Sequence, residues 1–331
     1  MKIIAEIAQG FEGNFEQSKL LIKAGAKAGA DAVKFQLVYV DELATENYIH
    51  YSLFKSLEFT NNQWQGLKEY ADQLKTELIV DIFGERSLKT AESIGINEIK
   101  IHGTDLTNIR LLKKIRNSKI KKVILGLGGA YWEEIKIVLK ILENKELVLL
   151  CGFQGYATKT KDNQIKRLQL IKEKTINIHS NFSMGFADHP VKNKFINTIS
   201  LVAVGAGAQV IEKHLTLGKV MELEDYESAI NPDEFRKFIE QIRAGEKALG
   251  KTEDRANFLM SEAEEIYRKN VRKDVVANSN LEAGIILRDE DLYLIRTGLQ
   301  NTIKKLEFAV GQKLINPIKK NSPILLSDIA K

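Results

Sequence analysis

The sequence predicts an α/β protein, a (β/α)8 TIM barrel followed by a small turn-rich β domain, and three observations predict it. Short apolar runs rich in β-formers alternate with longer amphipathic stretches through the first 250 residues, the pattern of parallel βα units. Eight such units can be counted, enough to close a barrel, whereas a doubly wound sheet would open on a glycine-rich first turn that is missing here. After residue 270 the pattern changes to short strands and turns, a module of roughly 60 residues at the lower limit of independent stability.

Strands are expected at residues 2–8, 32–37, 77–83, 98–102, 122–127, 146–153, 183–187 and 210–215, and helices over 15–28, 64–74, 109–116, 132–142, 164–173, 194–206 and 232–249. The barrel therefore spans 1–250. Residues 251–270 are charged, lack strand alternation and read as a linker, helical or extended. The second domain spans 271–331, with strands expected at 274–277 and 291–295.

Of the 331 residues, 44% are hydrophobic and 28% charged, which suits a folded globular chain and not a disordered one. The net charge of +5 is spread along the chain: residues 251–331 carry 14 Lys/Arg against 12 Asp/Glu, leaving +3 for the barrel. Neither part has the concentrated basic face that nucleic acid requires. The single cysteine, Cys151, excludes an intramolecular disulfide and a cysteine-cluster metal site and fits a reducing compartment. No apolar run is long enough for an export signal or a membrane span, so the expected location is cytoplasmic, with the mature chain starting at Met1.

In such barrels chemistry sits at the carboxyl ends of the strands, so polar residues there are the candidates. His189 and His214 end the seventh and eighth strands, which are neighbours in a closed barrel. Their imidazoles can converge on one divalent ion with positions left open for substrate, or each can simply hydrogen-bond within the rim. Lys34 and Lys100 lie inside otherwise apolar strands, where an ammonium is costly to bury without an anion. An anionic ligand, an ion pair with Glu6 or Glu98, and a Schiff-base role are the three readings. Glu6, Asp105 and Asp225 are acids at strand ends, any of which could move protons; Asp105 could instead cap the helix that follows it. Cys151 reads as packing.

The segments AEIAQGFEGN, DAVKFQL, EIKIHGTD, GFADHP, IEKHLT and INPDEF occur in the order of the N-acetylneuraminate (sialic acid) synthase family, which this chain resembles over nearly its whole length. The stretch KDVVANSNLEAGIILRDEDLYLIRTG resembles the β-clip (SAF, antifreeze-like) module of those enzymes. The resemblance implies a cytoplasmic transferase that condenses phosphoenolpyruvate with an N-acetylmannosamine-like sugar and releases phosphate by C–O cleavage. It further implies that His189 and His214 hold a divalent metal, Mn2+ before Mg2+ or Co2+, and that Lys34 and Lys100 contact phosphoenolpyruvate. Gln36, Gln154, Tyr156, Glu212 and Asp225 would line the substrate site, Glu6 and Asp105 would be catalytic, and Arg296 would reach the partner's site in a domain-swapped homodimer.

The sequence departs from that family around one ligand. Asp105 stands where the family has glutamate, and the hydroxyl residues of the phosphate cradle are here Asp81, Gly103, Gly126 and Ala187. Gln154 replaces an asparagine, Gly10 and Phe11 replace an asparagine–histidine pair, and Cys151 replaces a histidine; the insertion near 41–51 is shortened. Each lost neutral donor costs about 1 kcal/mol if nothing replaces it, and a carboxylate such as Asp81 would repel phosphate. Backbone N–H groups of 126–129 are one expected substitute. A barrel aldolase or lyase with another keto-acid donor, and a non-catalytic sugar-binding barrel, are the competing readings.

Overall fold

The computed structural model describes residues 1–152, 158–189, 197–250 and 259–330. The chain divides into two compact units, Met1–Gly250 and Lys251–Lys331. In the first, strands β1 (Lys2–Ala8), β2 (Ala32–Gln36), β3 (Glu77–Asp81), β4 (Glu98–Ile101), β5 (Lys122–Gly126), β6 (Glu146–Cys151), β7 (Phe182–Asp188) and β8 (Val210–His214) close in sequence order, all parallel, with β1 hydrogen-bonded to both β2 and β8.

The helix boundaries follow from capping. Helix Phe15–Ala28 begins at Asn14, whose side chain accepts from the Gln17 N–H, and ends at Gly29, which takes the left-handed conformation (φ 95°) that L side chains resist. Helix Asn61–Gln73 starts three residues before its expected first residue, because Thr60 and Gln63 form a reciprocal capping box. Helix Pro232–Ala248 opens on a proline with Asn231 and Glu234 boxing its first turn. Helix Glu85–Ser93 was not expected. Its N-terminal donors, Arg86 N–H (2.5 Å) and Ser87 N–H (3.0 Å), are accepted by Glu42, a residue more than forty positions upstream, and locally the Ser87 hydroxyl accepts the Gly84 N–H at 3.0 Å.

Two apolar layers result. The larger lies between the strands' outer faces and the helices, and includes an aromatic group of Phe11, Phe35, Phe59 and Trp64 with ring centroids 5.2 to 6.4 Å apart. Phe11 is thus a core residue. The smaller fills the barrel interior with Ile4, Ala32, Ile79, Ile124, Val148, Leu150, Ala187 and Val210. The amino-terminal end is closed by ion pairs, Lys2 to Glu77 (2.6 Å) and Glu98 (2.5 Å) and Lys122 to Glu146 (3.1 Å). That end is therefore closed by charge, and the open end is left for ligands.

The second unit contains helix Glu262–Val271, begun by a Ser261–Glu264 capping box, and the antiparallel pair β9 (Asp274–Ala277) and β10 (Leu292–Ile295). Residues 262–270 of the expected linker are thus helical, and 251–258 lie outside the described residues. Its core gathers Val275, Leu281, Leu287, Leu292, Ile303, Leu314 and Ile324. Asp274 stitches its turns together, accepting from Thr297 N–H (3.0 Å) and the Thr302 hydroxyl (2.6 Å) and pairing with Lys304. Burial opposes that carboxylate, but Lys304 and the two threonines hold its pKa down at about 2. Among the described residues no helix is long and apolar enough to cross a membrane.

Trp64 is fully buried, yet its indole N–H has no hydrogen-bond partner, so its contribution is packing. Trp64→Ala should lower unfolding free energy by about 3–5 kcal/mol in urea titrations, and Trp64→Phe by much less. Equal losses would contradict a packing role.

Candidate active site

Inward-facing positions recur every second residue of a strand, and on five strands the interior changes character toward the carboxyl ends. Ile4 is followed by Glu6, Ala32 by Lys34, Ile79 by Asp81 and Val210 by Glu212, while β4 contributes Lys100. On β5, β6 and β7 the upper interior stays small or apolar with Gly126, Leu150 and Ala187, and all three line the same cavity.

Lys34 is completely enclosed. Its ammonium pairs with Glu6 Oε2, with Asp81 Oδ1 at 2.7 Å and, more distantly, with Glu212 Oε2 at 3.6 Å. Lys100 Nζ donates to Glu212 Oε1 at 2.7 Å and stands 3.8 Å from Glu6 Oε2. Burial works against the Lys34 ammonium, but Asp81, Glu212 and Glu6 together hold its pKa well above the ordinary value. Burial also opposes the Asp81 and Glu212 carboxylates, and the two lysines overcome it and keep both ionised. Glu6 goes the other way: burial, with Glu212 and Asp81 adding to it against Lys34, raises its carboxyl to about 8. Glu6 therefore carries a proton at neutral pH, which leaves two carboxylates facing two ammonium groups.

One tier higher stand Gln36, His102 and His214, each two residues beyond a member of the charged layer, with His189 from the end of β7. The two Nε2 atoms of His189 and His214 face each other at 3.0 Å, with ring centroids 4.8 Å apart. Burial first, then neighbouring His214 for one ring and Lys34 and Lys100 for the other, keeps both imidazoles neutral. Behind them, Lys213 and Asp188 pair at 3.2 Å and the Ser200 hydroxyl donates to Asp188 at 2.7 Å, tying together the strand ends that carry the histidines. The resulting cavity of about 190 Å³ is lined by both histidines, Glu6, Lys100, Gln36, Asp81, His102, Thr104 and Asp225.

Most of the expected site residues meet there. Gln36 Oε1 accepts from Gln9 Nε2 at 3.0 Å, and Asp225, in the left-handed region at φ 66°, accepts from Gln9 N–H at 3.3 Å. Glu212 is buried beneath the cavity. Arg296 belongs to the second unit, where its Nε donates to the Val271 carbonyl at 2.9 Å. Gln154 and Tyr156 lie outside the described residues.

Three expectations are corrected. Lys34 is taken up on every side by the carboxyl groups of Asp81, Glu212 and Glu6, so the pairing reading holds, with Asp81 and Glu212 as its charged partners, and an anion would have to be met by other groups. Glu98 pairs with Lys2 at the opposite end of the barrel and touches neither site lysine. Asn108, not Asp105, caps helix Ile109–Asn117, accepting from Leu111 N–H at 3.1 Å; Asp105 sits in the adjoining turn beside the cavity without lining it, its carboxyl raised by burial. At 126–129, the Gly128 carbonyl faces the Gly103 turn, where a Cβ on Gly103 would lie 2.1 Å from its oxygen, and Gly126 and Gly128 line the cavity. Cys151 is buried and its thiol is pushed up to about 12, as packing requires.

His102 was missed. It follows Lys100 by two residues and so shares its inward face, which is the signal that could have found it. Its Nε2 lies 2.8 Å from Asp81 Oδ2, and the Phe83 ring packs against it at 5.5 Å.

Replacing Lys34 tests whether the layer stands or falls as a set. Lys34→Met leaves Asp81 and Glu212 without their shared cation and should cost about 3–5 kcal/mol at neutral pH. The loss should shrink in urea titrations run at lower pH, because the stranded carboxyls take up protons there. A pH-independent loss would assign the effect to packing alone.

Comparison with known proteins agrees with this arrangement. The model of the NeuB family matches residues 21–254. An uncharacterized protein of Methanocaldococcus jannaschii is 31% identical over 99% of this chain and 94% of its own. The N,N'-diacetyllegionaminic acid synthase of Legionella pneumophila is 27% identical, again over 99% of this chain and 94% of its own. Among solved structures, the N-acetylneuraminic acid (sialic acid) synthetase of Leptospira borgpetersenii, in complex with citrate, superposes with a TM-score of 0.72 at 30% identity, covering 82% of this chain and 92% of that one. A family match over most of the barrel, with relatives aligned across both units, establishes that the chain belongs to the NeuB family.

Proposed function

We propose that this chain is a sialic-acid-type (nonulosonic acid) synthase that joins phosphoenolpyruvate to an N-acetylmannosamine-like amino sugar. The observation that carries the reading is the meeting of two neutral imidazoles, His189 and His214, in one cavity with the Lys100 ammonium and the Glu6 carboxyl. The relatives named as synthases of legionaminic and sialic acids support the substrate class.

The reaction forms a bond between the enol carbon of phosphoenolpyruvate and the sugar's aldehyde carbon, adds water at the neighbouring carbon, and breaks that carbon's bond to the phosphate oxygen. Neutral imidazoles are the form that ligates metals, and no third His, Cys, Asp or Glu completes a cluster among the described residues, so a divalent ion such as Mn2+ held by His189 and His214 would keep positions open. Bound there, it would supply Lewis acidity toward a carbonyl oxygen.

The chain's own residues do the rest. Lys100 offsets anionic charge on the donor from the wall of the cavity. Glu6, protonated at neutral pH and accepting the Ala8 N–H at 2.8 Å through Oε1, holds a transferable proton beside the reacting groups. Gln36 and Asp225, braced by Gln9, offer hydrogen bonds to sugar hydroxyls. Lys34, its ammonium stabilised by the Asp81 and Glu212 carboxylates and the Glu6 carboxyl, is a poor amine nucleophile, which weighs against a Schiff-base aldolase. The reading includes a homodimer whose SAF-type second domain brings Arg296 to the partner's cavity.

Phosphate release from phosphoenolpyruvate should require both Mn2+ and an amino sugar, and His189→Ala or His214→Ala should reduce it by about 100-fold or more. Folded, metal-loaded protein that releases none across a panel of N-acetylated sugars would refute the reading. The pH profile should show the turnover rate falling as pH rises through about 8, where Glu6 gives up its proton, with Glu6→Gln slower by about 100-fold. An unchanged rate in that variant would remove Glu6 from proton transfer.

A further inference from the structure

We infer that His102 is the side chain through which this cavity grips the anionic end of its ligand, its ring held in position by Asp81. The cations around the cavity are unequally available. Lys34 is 0% exposed and surrounded by carboxylates, and Lys100, with 9% of its side chain exposed, already donates to Glu212. His189 and His214 are buried and face each other. His102 keeps 36% of its side chain open on the same wall.

Asp81 by itself would repel an anion at this point. Here both of its oxygens are engaged, Oδ1 by Lys34 at 2.7 Å and Oδ2 by His102 Nε2 at 2.8 Å, so the carboxylate lines the cavity with its oxygens already paired. With Nε2 on the Asp81 carboxylate, a proton on the ring's other nitrogen is a charge-assisted donor toward an anion. Phe83 limits the ring's rotation from one side. The charged groups around His102 are Asp81 from the end of β3, Lys100 from β4 and Asp105 from its own turn. Gly103 and Gly126 contribute no side chain, and the close approach of Gly103 to the Gly128 carbonyl leaves no room for one. The ligand class is a tetrahedral oxyanion such as a phosphate ester. Only its identity as phosphoenolpyruvate rests on the synthase reading.

Sulfate is the probe, because it remains a dianion while histidine changes charge. Calorimetric titration of the full-length protein with sulfate should give an affinity that falls as pH rises from about 5.5 to 8.5. His102→Gln should bind about tenfold more weakly at the acidic end and lose most of that pH response. His102→Arg, a permanent cation, should retain binding without the response, and thermal melting verifies that each variant is folded. Sulfate binding by folded His102→Gln with the affinity and pH response of the parent would overturn the inference. The two readings separate when phosphate release is measured alongside. His102-dependent sulfate binding without phosphate release on any sugar keeps this inference and sinks the synthase; release by His102→Gln with an unchanged KM for phosphoenolpyruvate does the reverse.

Discussion

Three acidic side chains from three strands converge on one enclosed ammonium, and everything else in the cavity adjusts to that contact. Taking Lys34 out of water is tolerable only because Glu6, Asp81 and Glu212 surround it, and the three acids tolerate each other only because Lys34 and Lys100 lie between them. The count is uneven, three acids to two bases, and the surplus is relieved by a proton on Glu6. Barrel geometry fixes which acid that is. Glu6 lies beside β8 through its register with His214 and is pressed by Glu212 and Asp81, whereas Asp81 has Lys34 on one oxygen and His102 on the other. A proton placed by electrostatic necessity is thereby positioned beside the groups that would use it.

Much of this fold was legible from the chain alone because its signals are local. The helix over 15–28 is bracketed by Asn14 and Gly29, and every barrel strand alternates or runs apolar between turn residues. What escaped was determined at a distance. Helix Glu85–Ser93 is capped by Glu42, which no window around residue 85 contains. Strand ends such as 82–83 read as β because their residues are apolar, but the ladder stops at Asp81.

The site divides the same way. A lysine within an apolar strand and histidines at strand ends stand out in the sequence as residue types in unusual surroundings. Their partners depend on register: Asp81 aligns with Gln36 on one side and Lys100 on the other, and only that pairing brings it against both Lys34 and His102. Reading Asp81 alone as a repulsive intruder was sound electrostatics applied to an incomplete set of charges. His102 was hidden for the complementary reason, since a histidine after a strand is unremarkable until an acid is known to face it.

The cavity is lopsided, and the lopsidedness bears on what it accepts. β1 to β4 and β8 supply the charges, whereas β5, β6 and β7 supply Gly126, Leu150 and Ala187. An anionic donor and an ion would share the charged half, where attraction is strong and water is scarce; the opposite wall offers room and little directional chemistry. A phosphate cradle made of hydroxyl groups spreads modest neutral hydrogen bonds around its ligand. On the role inferred for His102, the interaction is concentrated on the side that already carries ion pairs, where an acid and a histidine stand together and one N–H can act as a charge-assisted donor. That role makes anion recognition a matter of protonation as well as shape, because a hydroxyl donates at any physiological pH and an imidazole's charge does not persist at all of them.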